Sequence, residues 1–196
     1  MIYMWQSTIY SLGLLLGLWQ EPTSITELVE CYGDKEVCIE LIAEVSELLP
    51  EHIEQRLAST VGRIEIVTDK AEFLQHMSQK VEAHEEIIKK EQEYVGLCTY
   101  GYEFKTVVYS IADRYVLLHE LGHAYDYSQY YLNEPAISGT DAWVDAYNTE
   151  YVTTRAMANT KEYFAETFAK YFHYEHGLEM FAPTAHELME QIVEGE

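Results

Sequence analysis

The residues best suited to chemistry are two histidines four positions apart with a glutamate beside the first, in the stretch His119-Glu120-Leu121-Gly122-His123. On a helix, positions i and i+4 lie one turn apart on the same face, so both imidazoles can reach a single cation. The apolar run Val116-Leu117-Leu118 and the lack of proline predict that helix. This is the His-Glu-x-x-His zinc pattern, in which two neutral imidazoles ligate and the carboxylate takes a proton from water. Glu120 suits that role.

The chain holds 8 histidines and is rich in glutamate, so such a pattern arises by composition too easily to stand without a third ligand. One lies downstream, in Asn159-Thr160-Lys161-Glu162-Tyr163-Phe164-Ala165-Glu166-Thr167-Phe168-Ala169-Lys170-Tyr171-Phe172. Helical spacing puts Glu162 and Glu166 on one face and Phe164, Phe168 and Tyr171 in an apolar stripe. Glu162 can ligate. Glu166 and Asp126 can stand behind the ligands.

The elements that must position these residues read as follows. Ser24 to Leu49 is expected as two helices broken at Tyr32-Gly33, and Glu51 to Ser59 as a short helix holding an exposed His52. Gly62 to Val67 alternates and is β-branched, the first expected strand. A polar helix follows from Lys70 to about Glu93, with His76 and His84 too far apart for a joint site and expected to be solvated. Tyr94 to Cys98 and Phe104 to Ile111 are expected strands joined at Tyr100-Gly101-Tyr102. The second of these is expected to be an edge on which an extended peptide could lie. Ser128 to Ser138 reads as a tyrosine-rich loop, Asp141 to Tyr151 as a helix capped by Asp141, and Thr184 to Val193 as a last helix after Pro183.

A length of 196 residues with 48% hydrophobic content suits one globular domain with a packed core. A formal charge of -22 and the absence of any basic cluster disfavour nucleic acid or an anionic membrane as partner, and favour neutral or basic substrates. Residues 1–22 form an apolar segment of signal-peptide length that lacks a basic start and a small-x-small cleavage site, leaving export and a buried helix both open. Secretion or cell-surface display is the expectation, with a cytoplasmic location as the alternative. Residues 23–196 are expected to be the functional domain. Cys31 and Cys38 could bridge across the Gly33-Asp34 turn, or all three cysteines with Cys98 could remain thiols.

The stretches His119 to Asp126 and Asn159 to Ala169 together resemble the catalytic domain of anthrax lethal factor and the secreted Pro-Pro endopeptidases of Gram-positive bacteria. The resemblance spans roughly Tyr94 to Phe172. It implies a mixed α+β, zincin-like domain with a small mixed sheet, an active-site helix and a following glutamate-bearing helix. It further implies zinc held by His119, His123 and Glu162, Glu120 as general base, Glu166 as an orienting carboxylate, and cleavage inside a polypeptide substrate. That family places a tyrosine seven residues before the ligand glutamate to face the developing oxyanion, and here Arg155 stands in its place. The expectation is that Arg155 turns to solvent or an acidic neighbour and Tyr151 serves instead.

Other zinc classes fit less well. Asp126 and Gln129 occupy the glycine and third-histidine places of a metzincin, and Trp143 stands where an aspzincin needs its aspartate. Cytoplasmic ImmA/IrrE-like peptidases share the Glu162, Ala165, Phe168 and Ala169 spacing, but their accompanying helix-turn-helix is missing. A non-catalytic zinc-binding interaction domain is the alternative from another class; three ligands rather than four argue for the open position that catalysis requires.

Overall fold

Four strands make one mixed sheet, in the order β1-β2-β4-β3. Strand β1 (Val29–Tyr32) lies parallel to β2 (Val61–Val67), β2 lies parallel to β4 (Thr106–Ile111), and β3 (Gly96–Thr99) closes the far edge antiparallel to β4. These strands belong to a computed structural model that describes residues 21–80, 95–99 and 105–195. Residues 1–20 of the expected N-terminal segment, the expected helix beyond residue 80 with His84, and the turn at 100–102 lie outside the described residues.

Alternation along the strands divides the core in two. Ile64, Ile66 and Val108 face the main core, built with helices α1 (Lys35–Leu48), α2 (Glu51–Thr60) and α4 (Arg114–Tyr131). Val67 and Tyr109 face the other way, where helix α3 (Lys70–Lys80) covers them with Phe73 and Met77. Burying such a side chain contributes about 1.5–3 kcal/mol, so these two help to hold α3 on the sheet. Asp69 starts α3 by accepting the amides of Ala71 and Glu72.

Helix α4 runs through the middle, and every residue from Leu117 to Asp126 is buried, including His119, Glu120 and His123. Asp113 caps it by accepting the Val116 amide at 3.0 Å. Its main partner is α6 (Thr160–Phe181), which follows α5 (Asp141–Thr149) and precedes α7 (Pro183–Glu194). A Cβ at Gly122 would sit 3.1 Å from the Ala165 Cα and the Phe168 Cβ, so this glycine lets the two backbones approach. Helix α6 bends at Tyr174, whose φ of -151° and ψ of 63° are not helical.

The mixed α+β class with a small mixed sheet is as expected, and several local expectations are corrected. Residues 24–49 are not two helices: a 3-10 turn at Ile25–Leu28, fixed by a Ser24/Glu27 capping box, leads into β1. Here β2 provides a parallel partner, so Val29 and Cys31 pack on the core instead of continuing a helix. Strand β4 is interior, and the edge beside it is β3. The expected loop after the motif starts four residues late, since α4 continues through Tyr131, and it ends in the 3-10 turn Ile137–Gly139. Helix α5 is preceded by Thr140, not capped by Asp141. His76 is not solvated, because its Nε2 meets Oε2 of the buried Glu65, which Arg63 also contacts at 2.6 Å. All three cysteines are free thiols. Among the described residues no helix is long and apolar enough to cross a membrane.

Candidate metal centre

Helix α4 sets the His119 and His123 rings edge to face, with centroids 4.8 Å apart. Glu162 comes from the first turn of α6, where Asn159 accepts the Lys161 and Glu162 amides at 3.0 Å each and so fixes where the helix begins. Its two oxygens divide between the histidines: Oε2 lies 3.4 Å from His119 Nε2, and Oε1 lies 3.4 Å from His123 Nε2. The three residues offer ligand atoms that all lie within 4.8 Å of one another.

These separations fit a zinc ion. Ligands at about 2.0–2.1 Å in tetrahedral array stand about 3.3–3.4 Å apart. His119 Nε2 is buried with no hydrogen-bond partner, and once deprotonated it offers a lone pair that a cation would take up. Burial would lower the His119 pKa, but Glu162 and Glu166 overcome this and hold it at about 9. A cation taken up at this ring would have to displace the proton that these carboxylates favour there. Glu162 is also pushed up by burial, yet His119, His123 and Arg155 hold its carboxyl well below the usual range.

Glu120 is buried beside these three residues, and that burial raises its pKa against the opposing pull of His119, His123 and Arg155. A carboxylate raised in this way is a better proton acceptor than a solvated one. Its position depends on β3: a Cβ at Gly96 would fall 2.5 Å from Glu120 Oε1 and 2.7 Å from its Cγ. Gly96→Ala is accordingly expected to displace Glu120 and lower any hydrolytic turnover at least tenfold while leaving zinc binding intact. Kinetics beside metal analysis of that variant checks this, and unchanged turnover would show that Glu120 tolerates the methyl.

Behind the ligands, Glu166 Oε1 lies 2.9 Å from His119 Nδ1, close but off the line of a straight hydrogen bond. Asp126 serves elsewhere, accepting the Ser138 amide at 2.8 Å and its hydroxyl at 2.7 Å. His123 Nδ1 has no hydrogen-bond partner, so Asp126 secures the 3-10 turn Ile137–Gly139 rather than this ring. Arg155 reaches in from the segment before α6: its Nε is 2.9 Å from Glu162 Oε2 and its Nη2 4.0 Å from Glu120 Oε1. Tyr151 is 55% exposed, and its hydroxyl shares a 2.9 Å hydrogen bond with Thr154. Beyond His123 the aromatic stack continues along α4, Tyr127 over the imidazole at 6.1 Å and Tyr130 over Tyr127 at 6.3 Å.

Sequence reasoning missed Gly96 and Cys98 as neighbours of Glu120. A glycine inside a short strand was the available signal, since it marks a close approach. Burial raises the pKa of the Cys98 thiol, and the carboxylates of Glu120 and Asp126 raise it further.

No protein-family model matches the sequence, and no curated protein matches it. Among solved structures the chain resembles the Pro-Pro endopeptidase of Paenibacillus alvei, with 19% identity and a TM-score of 0.55. The likeness covers 86% of this chain and 99% of that one. At this identity it establishes a shared fold.

Proposed function

We propose that residues 23–196 form a zinc-dependent endopeptidase acting on protein or peptide substrates. One observation carries the reading: His119, His123 and Glu162 converge at ligand spacing with Glu120 buried beside them. The shared fold with a Pro-Pro endopeptidase supports it. Zinc held by the three ligands would polarise the scissile carbonyl and acidify a water molecule.

The chain's own residues supply the remaining steps. Glu120 takes a proton from the attacking water as its oxygen bonds to the carbonyl carbon, then delivers that proton to the departing amine as the C–N bond breaks. Arg155 is a permanent cation bonded to one ligand and facing Glu120, so it is placed to donate to the oxygen on which negative charge develops. In this reading the role expected of Tyr151 passes to Arg155. Arg155→Ala should then lower kcat by about 10²-fold, the usual effect of losing one oxyanion donor. Tyr151→Phe should change it by less than about twofold, as for an exposed side chain bonded only to a neighbour. Steady-state kinetics of the two variants decides between them, and the opposite ranking would return the role to Tyr151.

Incubating the zinc-loaded protein with a denatured polypeptide tests the activity itself. Internal cleavage that a chelator stops is expected. An intact polypeptide at full zinc occupancy would refute the endopeptidase reading.

A further inference from the structure

The carboxylate behind His119 is itself held by two hydroxyls from separate parts of the fold. Tyr115, one turn before His119 on α4, donates to Glu166 Oε2 at 2.7 Å. Thr153, from the segment between α5 and α6, donates to the same oxygen at 2.8 Å. The other oxygen, Oε1, is the one that approaches His119 Nδ1. Glu166 is thus the junction of three elements: the motif helix, the glutamate-bearing helix and the segment that carries Arg155. Thr153 Oγ1 also accepts the Ala156 amide at 3.0 Å, which ties the backbone just past Arg155 to the same point.

Each contact has a reason to be rigid. The Tyr115 ring packs edge-on against His173 at 5.5 Å, and His173 Nδ1 accepts a hydrogen bond from Arg114 Nε at 3.1 Å, so the phenol is braced from behind. Burial raises the Tyr115 pKa, as do the charge and hydrogen bond of Glu166, so the phenol stays a donor across the physiological range. A carboxylate that receives two hydroxyl donors on one oxygen is limited in its rotation, and its second oxygen is aimed accordingly. Oε1 of Glu166 is left facing the imidazole.

We infer that Tyr115 and Thr153 are positioning residues for the metal centre: by clamping Glu166 Oε2 they aim Oε1 at His119 Nδ1, and so hold His119 Nε2 toward the cation. The inference rests on the zinc reading above and deepens it. Outer partners of ligand histidines commonly matter by 10–100-fold in metal affinity. The hydroxyls stand one bond further out, so the expected loss is about tenfold for each, near the lower end of that range.

Zinc affinity measured by competition with a calibrated chelator tests this without reference to activity. Tyr115→Phe keeps the ring against His173, and Thr153→Val keeps the shape; each is expected to bind zinc about tenfold more weakly, while Thr153→Ser retains wild-type affinity. In a Glu166→Gln background, adding Tyr115→Phe should cause little further loss, because both changes act through one carboxylate. Apo-protein melting curves identify any variant that fails by unfolding, in which case the remaining hydroxyl variant and the Thr153→Ser comparison carry the test. Wild-type zinc affinity in both Tyr115→Phe and Thr153→Val, or full additivity with Glu166→Gln, would overturn the inference and leave the zinc reading standing. Failure of the wild-type protein to bind zinc would overturn both together.

Discussion

Glu120→Gln is expected to abolish nearly all turnover while leaving zinc bound. The amide matches the carboxylate in shape but cannot take a proton from water, and positioned acid–base groups contribute about 10²–10⁴-fold. Glu120 is not among the three clustered ligand residues, so the metal site should survive its loss of charge. Its burial makes the substitution conservative for folding as well, since a neutral amide is easier to enclose than an ion. Single-turnover kinetics on a cleavable peptide, with zinc content measured on the same sample, checks the result. Near-normal turnover in the variant would remove Glu120 from its role.

The second large effect is on the metal itself. His123→Ala and Glu162→Ala each delete one of three converging ligands, and each should weaken zinc binding by more than the ~10–100-fold that an outer partner costs. The two variants should differ in stability. Removing Glu162 leaves Arg155 without its 2.9 Å partner and the two imidazoles without their shared carboxylate. Removing His123 leaves the Arg155–Glu162 pair in place. Zinc titrations of both variants check the first statement and apo melting temperatures the second. Full zinc retention in either variant would mean that the metal lies elsewhere.

Much of this centre was legible in the sequence because it depends on local rules. His119 and His123 are brought together by helical periodicity alone, and the apolar stripe of Phe164, Phe168 and Tyr171 announced the helix that carries Glu162 and Glu166. What escaped depended on partners distant in the chain. Residues 24–32 satisfy a helical pattern until β2 is present to pair with Val29–Tyr32. The edge of the sheet passes to β3 because β2 takes the other side of β4, an ordering that no local pattern encodes.

Side-chain direction was the other limit. Asp126 sits three residues past His123 and is buried near it, yet the amide and hydroxyl of Ser138 arrive from a later turn and claim both of its oxygens. Arg155 precedes α6 in irregular backbone, where spacing says nothing about aim, so its contact with Glu162 emerges only from the three-dimensional arrangement. Gly96 has no side chain to suggest a role. Its importance lies in the space it leaves for Glu120.

The X-ray absorption spectrum of the zinc-loaded protein tests the central claim most directly. Two imidazole nitrogens and carboxylate or water oxygens are expected at about 2.0–2.2 Å, with no scatterer near 2.3 Å. A sulfur shell near 2.3 Å, which would draw in Cys98 or another thiol, or a site filled by four protein ligands with no exchangeable oxygen, would contradict the open His119, His123 and Glu162 centre.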